Sequence, residues 1–238
     1  MRVEIFLLIL IAAVCYSIPT IPDLDDFEEL KTKCDKRGGN GTFAKIKTSI
    51  DETQTCIEDL IDIDKFTEEL EESKKTGSMD EVFAKYCKKR PDVRKCIKKF
   101  YDALEPCLDE AEKKGLNFTY SILTEISDFA CAKDGDRLAL FVAEGGPDCI
   151  KSKTEGIQKC LNQTLQFNPD NISKLSIKLA IDKKTCDDLG QVQTCVVAEL
   201  EKCKESTPAN IVDALFKFVK RTACKDIKKR SIVGFVGL

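Results

Sequence analysis

Cysteine is the residue whose number and spacing say most about the chemistry of this chain. The 238 residues contain 13 cysteines and no histidine. Cysteine thiolates bind zinc, commonly in CxxC pairs or together with histidine, or they pair as disulfides. No two cysteines are separated by two residues, and no histidine is present to complete a zinc site. We therefore expect disulfides, and neither a metal site nor a cofactor.

The residues needed for the common catalytic mechanisms are missing. Without histidine there is no Ser-His-Asp or Cys-His arrangement, and the chain has no GxSxG, P-loop or GxGxxG motif. Acidic residues cluster at 23–29 and 68–72, as is typical of solvated helix faces. Asp134-Gly-Asp136 resembles the start of a calcium loop, but Ala139 stands where an EF-hand needs glycine. A glycosidase-like carboxylate pair stays open, although no motif marks one. The sequence predicts a protein without catalytic residues.

The charge of the chain is nearly balanced. There are 38 Lys and Arg against 41 Asp and Glu, for a formal net charge of −3. Basic residues concentrate at 85–99, 217–221 and 225–230, with acidic residues close by. A balanced surface does not steer a protein toward a polyanion, so we expect solvated faces and no nucleic-acid partner.

The amino terminus has the pattern of a secretory signal. Arg2 precedes the apolar run 5–14, and Ser17 is a small residue suited to the position before cleavage. A membrane anchor is the alternative, but the run is shorter than the ~20 apolar residues that span a bilayer. The sequence therefore predicts a signal peptide at 1–17, a secreted domain at 18–238 and no transmembrane segment.

Secretion changes the cysteine count. Cleavage after Ser17 removes Cys15 and leaves twelve cysteines, an even number that predicts up to six disulfides. Four sites match the N-glycosylation pattern N-x-[ST], as expected of an extracellular glycoprotein. They are Asn40, Asn117, Asn162 and Asn171.

The twelve cysteines fall into two groups of six. Both groups contain a step of nine residues at the same place, from Cys87 to Cys96 and from Cys186 to Cys195. In addition, the apolar positions of 118–131 coincide with those of 211–224, and both segments end in Ala-Cys. We interpret 34–131 and 149–224 as related halves of one domain.

The periodicity is helical almost throughout. In the segment after Thr207-Pro208, apolar residues recur every three or four positions, which is typical of an amphipathic helix. The run 138–142 could be a strand or a short helix, and we favour a helix. The fold class expected is all-α: a multi-helix bundle stapled by disulfides and built from two related halves.

The nine-residue steps suggest local bridges. If Cys87 ends one helix and Pro91 starts the next, antiparallel helix, then Cys96 lies near Cys87. We therefore expect the pairs Cys87–Cys96 and Cys186–Cys195. The remaining mature cysteines have no assigned partner: Cys34, Cys56, Cys107, Cys131, Cys149, Cys160, Cys203 and Cys224.

Several segments give the chain a recognisable family likeness. The longest is 129–149, and the others are 81–89, 103–108, 193–197 and 207–213. In these segments the chain resembles the insect 27 kDa haemolymph glycoprotein family. The resemblance implies a secreted glycoprotein of insect haemolymph, and it supplies no catalytic residues.

Two functions are compatible with these observations. Packed amphipathic helices can enclose an apolar cavity that disulfides keep from collapsing. We expect an extracellular carrier for a small hydrophobic ligand or lipid. The alternative is a plasma, storage or immune component without a ligand pocket.

Overall fold

The computed structural model describes residues 28–165 and 183–225. The predicted signal peptide and Asn171 lie outside the described residues. Within them the regular structure is helical and contains no strand. The α-helices are α1 (Glu28–Gly38), α2 (Thr42–Leu60), α3 (Ile63–Thr76), α4 (Met79–Cys87), α5 (Arg90–Leu104), α6 (Glu110–Ala130), α7 (Asp136–Ala143), α8 (Gly146–Ser152), α9 (Thr154–Leu165), α10 (Lys183–Leu200) and α11 (Thr207–Ala223). The predicted all-α fold class is confirmed, and the run 138–142 lies in α7 as a helix.

Local sequence signals set many of the helix ends. Asp62 caps α3 by accepting a hydrogen bond from the Lys65 backbone N–H at 2.9 Å. Asp109 caps α6, and Glu112 accepts from the Asp109 backbone N–H, which completes a capping box. α3 ends at Gly77, whose φ of 78° is left-handed.

Three apolar clusters hold the helices together. One lies among α1, α2 and the segment after α5 and includes Phe43 and Ile46. A second lies among α3, α4 and α7, and the third among α7 to α11. α7 joins the last two, because Val142 packs in one and its neighbour Phe141 in the other. α6 also packs directly against α11.

The six disulfides all lie within one group of cysteines or the other. In the first group the pairs are Cys34–Cys107, Cys56–Cys96 and Cys87–Cys131. In the second they are Cys149–Cys203, Cys160–Cys195 and Cys186–Cys224. Each group thus joins its first cysteine to its fifth, its second to its fourth and its third to its sixth. No disulfide connects 34–131 with 149–224.

The expected pairs Cys87–Cys96 and Cys186–Cys195 are wrong. Cys186 and Cys195 lie in the same continuous helix α10, where nine residues rise about 13.5 Å. Disulfide-bonded Cα atoms are usually about 4.4–6.8 Å apart. In the first half, Lys88 and Lys89 keep right-handed helical backbone angles between α4 and α5. The chain therefore does not reverse there, and Cys96 is not carried back to Cys87.

Candidate ligand-binding cleft

An apolar cleft lies where α6, α7, α8 and α11 meet. Its cavity volume is about 50 Å³, and among the described residues that line it only arginine has a polar side chain. The lining residues are Ile126, Phe129, Ala130, Arg137, Leu138, Phe141, Ile150, Ile211, Val212 and Leu215. Since α6 belongs to the first half and α8 and α11 to the second, the cleft is formed by both.

Helical periodicity places these side chains together. α6 contributes positions 126, 129 and 130, which share one helix face at i, i+3 and i+4. α7 contributes 137 and 138, which lie four and three positions before its third lining residue, 141. Phe129 of α6 also contacts Phe218 of α11, with ring centroids 5.5 Å apart.

A tight turn before α7 positions Arg137, the charged residue in the described lining of the cleft. Lys133, Asp134 and Gly135 all have left-handed φ values, of 51°, 56° and 92°. A Cβ on Gly135 would lie only 2.8 Å from the Cβ of Phe83, so only glycine fits. The disulfide from Cys131 to Cys87 anchors the start of this turn. Together these constraints fix the first residues of α7.

Arg137 stands at the exposed rim of the cleft. Its Nη1 donates a hydrogen bond to the Phe129 carbonyl oxygen at 2.9 Å. Its guanidinium carbon lies 4.3 Å from the centroid of the Phe129 ring, a cation–π contact. The ion pairs found among residues 28–165 and 183–225 do not include Arg137. Its guanidinium is thus oriented by the protein and exposed to solvent.

The charged runs noted in the sequence form ion pairs on helix surfaces. In the acidic run 68–72, Glu71 pairs with Lys74 and Glu72 with Lys75. In the basic run 85–99, five of the eight basic residues form ion pairs within the described part of the chain. Its pairs are Lys85–Glu69, Arg90–Asp128, Arg94–Asp128, Lys95–Asp92 and Lys98–Asp102. These are the solvated faces that the charge balance predicts.

The shifted carboxyl groups are held in their charged form. A hydrogen bond from Lys85 lowers the pKa of Glu69, and hydrogen bonds from Lys217 and Gln193 lower the pKa of Asp213. Burial, followed by the nearby Glu69 charge, raises the pKa of Tyr86 to about 12. A carboxyl group that acts as a general acid at neutral pH needs a raised pKa. The pKa values of Glu69 and Asp213 are shifted in the opposite direction, downward. Across the described ranges no three acidic or cysteine side chains are grouped to hold a metal ion.

The predicted glycosylation sites lie away from the cleft. Asn40 is in the turn before α2, Asn117 is on α6 and Asn162 is on α9, and all three are exposed. None of them lines the cleft. The described helices include none that is both long and apolar enough to cross a bilayer.

Sequence reasoning missed the cleft and Arg137. The only signal was the unusual segment 129–149, which carries the family resemblance and supplies Phe129, Arg137 and Phe141. Periodicity placed these residues on helices but could not show that α6 meets α11.

Comparison with known proteins agrees with the resemblance seen in the sequence. Residues 22–224 match a family model described as a protein of unknown function (DUF1397). No solved structure matches the chain. The chain is 32% identical to the 27 kDa glycoprotein of Bombyx mori over 201 residues, covering 83% of this chain and 87% of that one.

Two further relatives come from other moths. The 27 kDa hemolymph protein of Galleria mellonella is 32% identical over 194 residues, covering 82% of this chain and 81% of that protein. The 27 kDa hemolymph glycoprotein of Manduca sexta is 34% identical over 192 residues, covering 81% of each. The family model spans most of this chain, and each of the three relatives, named as a 27 kDa glycoprotein or hemolymph protein, is matched over more than four fifths of its length. This protein therefore belongs to the insect 27 kDa haemolymph glycoprotein family.

Proposed function

We propose that this secreted haemolymph protein is a non-catalytic carrier whose ligand is a small amphiphile held in the cleft between its halves. The observation that supports this is the cleft itself, with apolar walls from both halves and one cation at the rim. Apolar walls suit a hydrocarbon chain. The guanidinium of Arg137 is held in one orientation, and such a group forms strong hydrogen bonds to a carboxylate.

The cleft must open to take such a ligand. Its volume of about 50 Å³ is well below the roughly 300–1,000 Å³ of typical ligand pockets. The halves can separate there, because each is stapled by its own three disulfides and none crosses between them. Ligand entry then moves two rigid bodies apart about α7 instead of deforming either one.

We extend the proposal to the domain organisation, with residues 18–238 forming one secreted domain of two related halves. The matching order of disulfide pairing supports this, because six cysteines allow 15 pairings and both groups have the same one. The packing of α6 against α11 favours a single domain. These two helices end in the matching segments 118–131 and 211–224.

The absence of catalysis is part of the proposal. The carboxyl groups with lowered pKa are stabilised in their charged form by surface partners. The three relatives are named as glycoproteins or hemolymph proteins rather than by an enzymatic activity.

The second candidate is a plasma component without a specific ligand. The observation that favours it is the small volume of the cleft, about 50 Å³. In that case the apolar residues at the junction serve only to join the halves.

A binding titration separates the two functions. The full secreted protein is titrated with cis-parinaric acid, a fluorescent polyene fatty acid, and with its methyl ester. A carrier gives saturable binding of both, and organic extraction of native protein followed by mass spectrometry finds a lipid. A protein that neither binds the probe nor carries lipid is the ligand-free plasma component.

Two variants on α11 locate the site. Leu215→Glu places a charge in the cleft, whereas Ala214→Glu places the same charge on the neighbouring exposed position. We expect Leu215→Glu to weaken probe binding about tenfold or more, since a hydrated carboxylate among the apolar walls must lose water when the hydrocarbon chain enters, and Ala214→Glu to leave it unchanged. Equal affinity for both variants, each with unchanged helical circular dichroism, would place binding elsewhere.

A further inference from the structure

A second concave surface lies between α5 and α6, and it shares no lining residue with the cleft. It is a groove of about 200 Å³. Its lining residues are Lys98, Tyr101, Asp102, Glu105, Lys113, Leu116, Asn117 and Tyr120. Asn117 is the acceptor of the sequon Asn117-Phe-Thr119, so a predicted modification site forms part of the wall of this groove.

The aromatic side chains of the groove are suited to a sugar ring. Tyr101 and Tyr120 meet edge to face, with ring centroids 5.1 Å apart, and both are half-buried. An aromatic ring has a negative face, which attracts the weakly positive C–H groups of a pyranose. Phenol hydroxyls can in addition exchange hydrogen bonds with sugar hydroxyls.

The charges of the groove are largely compensated within the protein. Lys98 pairs with Asp102 at 2.6 Å, and Lys113 pairs with Glu110 at 3.2 Å. A wall with compensated charges suits a neutral polar ligand better than an ion.

An N-glycan on Asn117 would place a sugar, which is a neutral polar group, at the groove. Lys113, Asn117 and Tyr120 share one face of α6, at i−4, i and i+3. A sugar attached to the exposed Asn117 side chain therefore starts beside the Tyr120 ring. Asn162 on α9 is also exposed but lines neither this groove nor the cleft.

We propose that the groove between α5 and α6 is the seat of the N-glycan on Asn117, whose first sugars pack against Tyr120 and Tyr101. The glycan then covers half-buried aromatic surface and links α5 to α6 on the solvent side. The inference is independent of ligand binding in the cleft.

The test measures how well the protein shields each glycan. The full chain is secreted from insect cells, and a peptide-N-glycosidase acts on the native protein while mass spectrometry follows release at each site. We expect release from Asn117 to be about tenfold slower than from Asn162, the effect of about one aromatic contact. After denaturation the two rates become equal. This comparison uses the wild-type protein and needs no variant.

Substitutions identify the contact. Tyr120→Leu should bring the Asn117 release rate up to that of Asn162. Asn117→Gln should lower the melting temperature of the first half, whereas the matched Asn162→Gln should not. An unmodified Asn117, or equally fast release from both native sites, would overturn the proposal. So would shielding that persists in folded Tyr120→Leu protein.

Discussion

At the scale of single residues, Asp213 joins two helices of the second half. Its Oδ1 accepts a hydrogen bond from Gln193 Nε2 of α10 at 2.7 Å, and its Oδ2 pairs with Lys217 Nζ at 2.5 Å. Both contacts favour the carboxylate and lower its pKa below the usual 3.8. The charged form of Asp213 therefore stabilises the folded protein.

This linkage predicts a loss of stability in acid. Because the folded-state pKa is lowered, the contribution is fully present above about pH 3.8 and is lost as the pH falls through the lowered pKa. We expect Asp213→Asn to reduce stability at neutral pH by about 1 kcal/mol and to flatten the acid limb of the profile. Urea unfolding between pH 2 and 7 measures both effects. Asp187→Asn, which removes an exposed charge from the neighbouring helix α10, is the matched control for the loss of one carboxylate.

At the scale of helices and their connections, two glycines show how closely the second half is packed. A Cβ on Gly146 would lie 2.3 Å from the ring of Phe141, which is buried in the core. A Cβ on Gly190 would meet only the end of the Lys220 side chain, at 2.9 Å. The Phe141 ring beside Gly146 is held in the core, whereas the end of the Lys220 side chain beside Gly190 is flexible. Substitution by alanine should therefore affect stability in opposite directions at the two glycines.

The two glycines make a matched pair of variants. Gly146→Ala should destabilise the protein by about 1–3 kcal/mol, because the ring must move within a packed core. Gly190→Ala lies inside α10 and should stabilise it by about 0.5–1 kcal/mol through the unfolded state and helix propensity. Thermal unfolding of both proteins measures the difference, and a stable Gly146→Ala protein would mean that Phe141 packs more loosely than the structure shows.

Disulfides between helices also stabilise the fold. Non-reducing digestion with mass spectrometry should recover the linked peptides Cys56–Cys96 and Cys160–Cys195. A peptide linked Cys186–Cys195 would contradict the fold, because α10 would then have to break between them. Replacing Cys160 and Cys195 together by serine should cost about 3–4 kcal/mol, since a crosslink closing a loop of this length restricts the unfolded chain.

At the scale of the whole molecule, the two halves are joined by packing and by the connection through α7. The contact of α6 with α11, where Phe129 meets Phe218, carries much of that packing. No disulfide crosses this boundary, and the carrier proposal places the opening of the molecule here. The proposed carrier function depends on this property.

Two phenylalanine truncations test the coupling of the halves. Phe129 at the boundary and Phe43 inside the first half are 6% and 5% exposed, so each change to alanine should cost about 3–5 kcal/mol. Amide hydrogen exchange should show which helices each substitution loosens. Phe129→Ala should increase exchange in both α6 and α11, whereas Phe43→Ala should increase it around α1 and α2 alone. Unchanged exchange in α11 of Phe129→Ala protein would mean that the halves are not coupled through this contact.

Much of the local structure could be predicted because it depends on neighbours in the chain. Pro208 lies in the first turn of α11, as the segment after Thr207-Pro208 predicts. The nine-residue steps led to wrong bridges because spacing along the chain says nothing about whether the chain reverses. Only the helical backbone at Lys88 and Lys89, and the continuity of α10, decide that.

The sequence by itself determined that this is an all-helical haemolymph glycoprotein, and it predicted an even number of cysteines after signal cleavage. Helical periodicity, helix caps and family motifs each depend on residues that lie close together in the chain. Only the tertiary structure decided which cysteines pair, that α6 meets α11, that Arg137 stands over an apolar cleft and that Asn117 lines a tyrosine groove. Each of these depends on distances between residues far apart in sequence, and packing sets those distances.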